Sequence, residues 1–162
     1  MEFIIKEITS EYRAEVDTIL QHEWSAPPIV SRGKTIDTRT TPGFVALVGD
    51  KVCGVVTYQI VDNECEIASL NSLIENIGIG TALINAVRAV AEERGCTRVW
   101  LITSNDDIEA IRFYQKKGME LAAVYLDAMD LSRQIKPAIP LIGMHGIPIK
   151  HEFEFEFKLI AD

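Results

Sequence analysis

Two glycines one residue apart, Gly78 and Gly80, stand in the run Asn76-Ile77-Gly78-Ile79-Gly80-Thr81-Ala82-Leu83, where an extended apolar stretch gives way to a helical pattern. A backbone prepared in this way can hold a phosphate. Side chains at the two glycines would block close approach, and the free N–H groups of a first helical turn, at the positive end of the helix dipole, favour an anion. Leu83, Ile84, Val87, Val90 and Ala91 follow at the spacing of one helical face, and Gly95 stands where a C-terminal cap is expected.

Further along comes Asn105-Asp106-Asp107-Ile108-Glu109-Ala110-Ile111-Arg112-Phe113-Tyr114-Gln115-Lys116-Lys117-Gly118-Met119, a second helical segment closed by glycine and an apolar residue. Together the two segments resemble the GNAT acetyltransferase superfamily. That family's phosphate-binding pattern is Gln or Arg, two residues, Gly, one residue, then Gly or Ala. It aligns with Glu75 to Gly80, with Glu in the first position. The resemblance implies a site for acetyl-CoA lined by Glu75, Asn76, Ile77, Gly78, Ile79, Gly80 and Thr81, whose amides hold the pyrophosphate. A carboxylate at Glu75 repels that group, so Glu75 either points to solvent or leaves the backbone to hold the cofactor. The Asn position of the second pattern falls on Asp107, so Asn105 becomes the substitute candidate for the cofactor-contacting amide. The resemblance covers Phe44 to Met119 well, the N-terminal part in pattern and the C-terminal third loosely.

Acyl transfer to an amine needs a held thioester, a donor to its carbonyl, a base for the amine proton and an acid for the leaving thiolate. By resemblance, backbone near Leu70 meets the acyl carbonyl, and Tyr114 corresponds to the family's tyrosine beside the thioester sulfur. Glu66 is the candidate base, with Glu64 second, because extended geometry puts both carboxylates on one face of a strand. A water chain is the alternative base. His22, His145 and His151 are isolated and read as surface or turn residues, although His145 could line an acceptor pocket. Lys116 and Lys117 suit nucleotide phosphates and equally suit the last turn of a helix.

Composition sets limits. At 162 residues the chain is long enough for one domain with a substantial core. With 16 basic against 24 acidic residues the net charge is −8, which disfavours nucleic acid and favours cationic or amine partners. Cys53, Cys65 and Cys96 are widely spaced in apolar segments and read as buried free thiols in a reducing compartment, with no metal site expected. Met1-Glu2-Phe3-Ile4-Ile5-Lys6 lacks the form of a signal peptide, and no run approaches membrane-spanning length, so a cytoplasmic protein without a membrane partner is expected.

The elements that must position these residues alternate along the chain. Phe3 to Ile8 reads as a strand, and Thr9-Ser10 caps a helix whose Tyr12, Val16, Ile19 and Leu20 share a face. Trp24-Ser25-Ala26-Pro27-Pro28 stops it, and a polar loop with at most a short strand runs to Pro42-Gly43. Phe44 to Val48, Val52 to Val61 and Glu64 to Asn71 should form an antiparallel meander. Arg98 to Thr103 is a buried strand with parallel character, Leu121 to Tyr125 another strand, Asp127 to Gln134 a short helix, and Pro137 to Pro148 a loop. Glu152 to Leu159 alternates charge and apolar residues, predicting a half-exposed strand with its Phe side packed and its Glu side wet or facing a partner.

The expected fold is therefore α/β (α+β), a single-domain GNAT fold over residues 1–162 with a mixed, mostly antiparallel central sheet flanked by helices. The expected activity is transfer of an acetyl group from acetyl-CoA to a primary amine of a small molecule or peptide by direct attack. Glu75 and Asp107, acidic where the family prefers neutral or basic groups, keep a second reading open: a non-catalytic GNAT-like module that holds CoA or another ligand for regulation. The Phe/Glu strand offers an edge for a homodimer.

Overall fold

A computed structural model describes residues 1–24 and 29–159. The stop read at Ser25 to Pro28 lies outside the described residues. The elements are β1 (Ile4–Glu7), α1 (Ser10–Trp24), β2 (Ile29–Ser31), β3 (Lys34–Ile36), β4 (Gly43–Val48), β5 (Lys51–Val61), β6 (Glu64–Ser72), α2 (Ile79–Glu93), β7 (Arg98–Ser104), α3 (Ile108–Lys116), β8 (Glu120–Tyr125), α4 (Ala128–Ile135) and β9 (Glu152–Lys158). Seven strands form one mixed, mostly antiparallel sheet in the order β1-β4-β5-β6-β7-β9-β8, and β2 and β3 form a separate hairpin. By contacts the chain divides into two compact units, Met1–Ile29 with Ile36–Val99, and Val30–Thr35 with Trp100–Lys158.

In the first unit the meander β4-β5-β6 is antiparallel throughout, as its turn signals predict. Strand β5 is buried along most of its length because it is covered on both faces. On one face Val16 and Leu20 of α1 pack with Val45, Leu47, Val52 and Val55, and Ile8, Tyr12 and Ile19 complete the cluster. On the other lies α2, which buries Ile79, Leu83, Ile84, Val87 and Ala91, each large aliphatic side chain contributing about 1.5–3 kcal/mol. A Cβ on Gly54 of β5 would stand 2.5 Å from Cγ2 of Ile79, so only glycine lets the start of α2 approach this closely. The three cysteines are buried and unpaired, and burial pushes the Cys65 thiol up to about 12, with Cys96 and Glu66 adding to the shift.

Two expectations are corrected. The segment read as a polar loop contains the β2-β3 hairpin, because Arg32 (φ 51) and Gly33 (φ 72) both take the left-handed conformation of a two-residue primed turn. The signal is weak in sequence because arginine is seldom the first residue of such a turn. Strand β9 is not an edge: it lies between β7 and β8 in the sheet, which removes it as a site for edge-to-edge dimer pairing. Its Glu side is not wet either, since Glu152 is 2% and Glu154 4% exposed. That face is covered by the β2-β3 hairpin, whose Arg32 amide donates to Glu152 Oε2, and by α4, whose Ser132 hydroxyl donates to Glu152 Oε1. Among the described residues no helix is long and apolar enough to cross a membrane.

Gly54→Ala should destabilise the protein by about 1–3 kcal/mol in urea denaturation, because the stiff, branched Ile79 leaves no flexible chain end to move aside and α2 itself must shift. Unchanged stability would show that the first turn of α2 is free to move.

Candidate functional site

The glycine segment folds as the link between β6 and α2. Leu73 N–H donates to the Cys53 carbonyl at 2.8 Å and the Ser72 hydroxyl to the Ile74 carbonyl at 2.8 Å, tying the end of β6 before the chain turns. Asn76 (φ 64) and Gly78 (φ 91) are both left-handed, an alternation that turns successive amides toward one concave side. Gly78 is the N-cap residue of α2, and it offers no side-chain cap; the first turn carries no acidic residue. The opening amides of a fifteen-residue helix are thus left without a side-chain acceptor, and their partial positive charge is not offset by a carboxylate in that turn. A Cβ on Gly78 would meet nothing within 4 Å, so glycine is required here by backbone conformation and the space in front of it is open. Glu75 and Asn76 are exposed, Ile77, Gly80 and Thr81 half-buried, and Ile79 is anchored in the core.

Strand β6 carries the other residues of this unit. Thr57 pairs with Ser69 and Tyr58 with Ile67, so Ala68 is an extra residue, a β-bulge two positions before Leu70. A bulge interrupts the ladder and re-aims the backbone that follows it. Glu66 is buried and accepts a hydrogen bond from Gln59 Nε2 at 3.2 Å, its cross-strand neighbour on β5. Glu64 is engaged by Arg98, whose Nε lies 2.6 Å from its Oε1.

The second unit holds Asn105 and Tyr114. The Asn105 side chain accepts from the amides of Lys150 and His151 at 2.8 and 2.9 Å and donates to the Pro148 carbonyl at 3.0 Å. Its amide is therefore committed to clamping the turn before β9. Asp107 caps α3, accepting from Ala110 N–H at 3.2 Å, which accounts for an acid at that position. Burial raises the Asp107 carboxyl, and the charges of Asp106 and Glu109 add to it against the capping hydrogen bond. The Tyr114 ring packs against Phe113 and Phe155, at centroid distances of 5.7 and 6.2 Å. Burial pushes its phenol above the ordinary tyrosine range, and the Asp107 charge acts in the same direction.

Sequence reasoning missed several residues here. Asp106, 4% exposed, accepts from Met144 N–H at 3.0 Å and from the Ser104 hydroxyl, and a Cβ on Gly143 would collide with its carboxylate. It ties the Pro-Gly loop to the end of β7. Arg32, Trp100, Tyr125, Ser132, Glu152 and Glu154 form a second polar group. Their only trace in the sequence is a run of glutamates on a strand that turns out to be interior. His145 lies beside Glu109 at 2.7 Å, both exposed, and His151 Nδ1 accepts from Asp127 N–H at 2.8 Å.

A model described as the Acetyltransferase (GNAT) family matches residues 3–119. The chain is 41% identical over 133 residues to the uncharacterised protein YdhI of Bacillus subtilis strain 168, covering 82% of this chain and 83% of the relative. It is 38% identical over 138 residues to the uncharacterised protein YxbD of the same strain, covering 85% and 87%. Among solved structures it resembles an IAA acetyltransferase from Bacillus cereus, with a TM-score of 0.74 at 19% identity over 98% of this chain and 100% of the other. A GNAT family acetyltransferase from Elizabethkingia anophelis with acetyl-CoA bound aligns at a TM-score of 0.71 and 15% identity, over 97% and 98%. At these identities the structural likeness is one of fold.

Asn105→Ala removes three hydrogen bonds and leaves the amides of Lys150 and His151 and the carbonyl of Pro148 without this partner. It should lower stability by about 1–3 kcal/mol, read by urea denaturation. An unchanged midpoint would mean that water replaces the side chain at no cost.

Proposed function

The chain belongs to the GNAT acetyltransferase family, and on that premise we propose that it transfers the acetyl group of acetyl-CoA to a primary amine of a small molecule or peptide by direct attack on the thioester. The observation that carries this reading is the uncapped start of α2, where left-handed Asn76 and Gly78 present backbone amides beside open space. A pyrophosphate supplies the acceptor oxygens that those amides lack. Solved relatives of the same fold hold acetyl-CoA or CoA, in Elizabethkingia anophelis and Bacillus subtilis respectively, which supports that ligand. In this proposal Asn76 to Thr81 hold the phosphates through backbone, and exposed Glu75 turns its carboxylate to solvent.

The amine nitrogen forms a bond to the thioester carbonyl carbon, the carbon–sulfur bond breaks, and the amine gives up a proton. Backbone around Leu70, after the Ala68 bulge, is assigned to the acyl carbonyl because a bulge frees donors from the ladder. Glu66 is assigned the amine proton, directly or through water; its partner Gln59 donates a hydrogen bond to the carboxylate and orients it. Tyr114 is assigned to the departing thiolate. Since its phenol is raised above about 10, and a thiol of ordinary acidity titrates near 8.5, full proton transfer to sulfur is uphill. The role that fits is hydrogen-bond donation to the developing negative charge. Asn105 Oδ1 is taken up by the turn before β9, so in this scheme its cofactor contact falls to the second N–H of Nδ2.

Acetyl-CoA should raise the thermal midpoint of the protein. At about one hundred times its Kd the added stability is about 2.7 kcal/mol, or several degrees for a chain of this size. Gly78→Val should remove that rise while the protein stays folded, since valine is strained at φ 91 and fills the open space. No shift in the wild type at millimolar acetyl-CoA would defeat the cofactor assignment. A shift without amine-dependent release of CoA across polyamines, aminoglycosides, amino acids and peptide N-termini would assign the chain to ligand holding in place of turnover.

Tyr114→Phe should leave acetyl-CoA affinity unchanged and lower single-turnover acetylation about 10- to 100-fold, the worth of one hydrogen bond to a charged group. Because the raised phenol stays protonated, the wild-type pH–rate profile should show no descending limb from Tyr114 below about pH 10. A limb below pH 9 that disappears in the Phe variant would contradict this role.

A further inference from the structure

The second unit already holds a guanidinium in a cage of its own making. Arg32 stands at the tip of the β2-β3 hairpin, in a left-handed conformation that a non-glycine residue adopts only at a cost. Its amide donates to Glu152 Oε2 at 3.1 Å, which fixes the tip. The guanidinium carbon lies 4.8 Å from the centroid of the Tyr125 ring and 5.9 Å from that of Trp100. Nη1 lies 3.6 Å from Glu154 Oε1, an oxygen that also accepts from the Tyr125 hydroxyl at 2.9 Å. Ser132 Oγ donates to Glu152 Oε1 at 3.2 Å. Behind the tip, a Cβ on Gly33 would stand 2.5 Å from Cδ2 of Leu131, so the turn sits tightly on α4.

Walls and occupant differ in kind. Glu152, Glu154 and Ser132 are 2%, 4% and 1% exposed, a depth at which carboxylates are kept only with good partners. The Arg32 side chain, by contrast, is 43% exposed. It meets Glu154 through one nitrogen beyond hydrogen-bond length, whereas an arginine placed for ion pairing alone engages a carboxylate through two short parallel bonds. Two aromatic faces and the buried Glu154 carboxylate, converging on a loosely held cation at the surface while Glu152 fixes the backbone of the tip, are the groups that recognise a guanidinium or ammonium ligand. The net charge of −8 draws such ligands to the protein.

We propose that the Trp100–Tyr125–Glu154 cage, its tip fixed by Glu152, binds a small molecule bearing a guanidinium or ammonium group, and that Arg32 occupies it as a self-ligand until that molecule arrives. This rests on the acetyltransferase reading in one respect: the ligand is then the acceptor, which carries a cationic group besides the amine to be acetylated.

The test uses the full chain with agmatine, which joins a guanidinium to a primary amine, and n-butylamine as the probe without the guanidinium. In Arg32→Ala, agmatine should raise the thermal midpoint, perturb tryptophan fluorescence and bind at least tenfold more tightly than to the wild type, with n-butylamine ineffective. Adding Glu154→Gln to Arg32→Ala should abolish this gain. A folded Arg32→Ala protein that ignores agmatine, or equal agmatine binding in all three proteins, would overturn the proposal. Should Arg32→Ala not fold, Arg32→Gln replaces it; failure of both would show Arg32 to be a structural partner and end the proposal. The acetyl-CoA shift measured on the same samples reports separately on the cofactor. Its absence beside tight agmatine binding sinks the acetyltransferase reading and leaves the cage, whereas agmatine binding with no more CoA release than n-butylamine supports strikes only the acceptor assignment.

Discussion

The contact of Ile79 with the bare backbone at Gly54 determines where the first turn of α2 begins. Ile79 is 1% exposed and Leu83 wholly buried, so the helix is locked to the meander within its first five residues. A helix anchored so near its start cannot fray there, and its opening amides stay pointed at one place. The chain spends its flexibility in the preceding residues, where Asn76 and Gly78 take left-handed conformations and leave the helix uncapped. Most helices satisfy these donors with a serine, threonine, asparagine or aspartate. Leaving them open costs stability unless an anion arrives, and the burial behind them offsets that cost.

The second unit is held by a different physics. Its loop between α4 and β9 exposes Leu141, Ile142 and Met144, so apolar burial contributes little there. Polar side chains hold it instead: buried Asp106 ties Met144, and half-buried Asn105 and Arg133 clamp Pro148 to His151 and donate to the carbonyls of Pro140 and Ile149. Each such bond is worth on the order of 1 kcal/mol net, yet removing one partner strands a buried group at higher cost. This asymmetry makes the arrangement specific, because alternative loop conformations would leave carboxylates buried without donors.

Helix α3 shows how one position serves two demands. Asp107 caps the helix through Ala110, and the same carboxylate sits close enough to Tyr114 to help raise its phenol. A phenol kept protonated by burial and by a nearby negative charge is a steadfast donor and a reluctant acid. An acid in place of an amide at the cap therefore changes the electrostatics of the tyrosine two turns along the same face, without changing the helix.

Local chemistry was legible in the sequence. Glycines at 78 and 80 before a helical apolar stripe, the meander with its turns, the helix ending at Gly118 and the family resemblance all depend on neighbours in the chain, and the elements formed within a few residues of the expected bounds. The tertiary structure decided what depends on sheet order and on contacts between distant segments. The alternation of Glu and Phe in β9 looks the same whether its Glu face is wet or covered; only the β2-β3 hairpin and α4, laid over that face, bury Glu152 and Glu154. Asn105 looked available until the turn at Pro148 to His151, more than forty residues on, claimed both ends of its amide. Arg32 lies in the segment that read as a polar loop, and is caged because a primed turn and two strands far along the chain meet around it. Periodicity reports which face a residue shares with its neighbours, and it carries no information on what the fold will lay against that face.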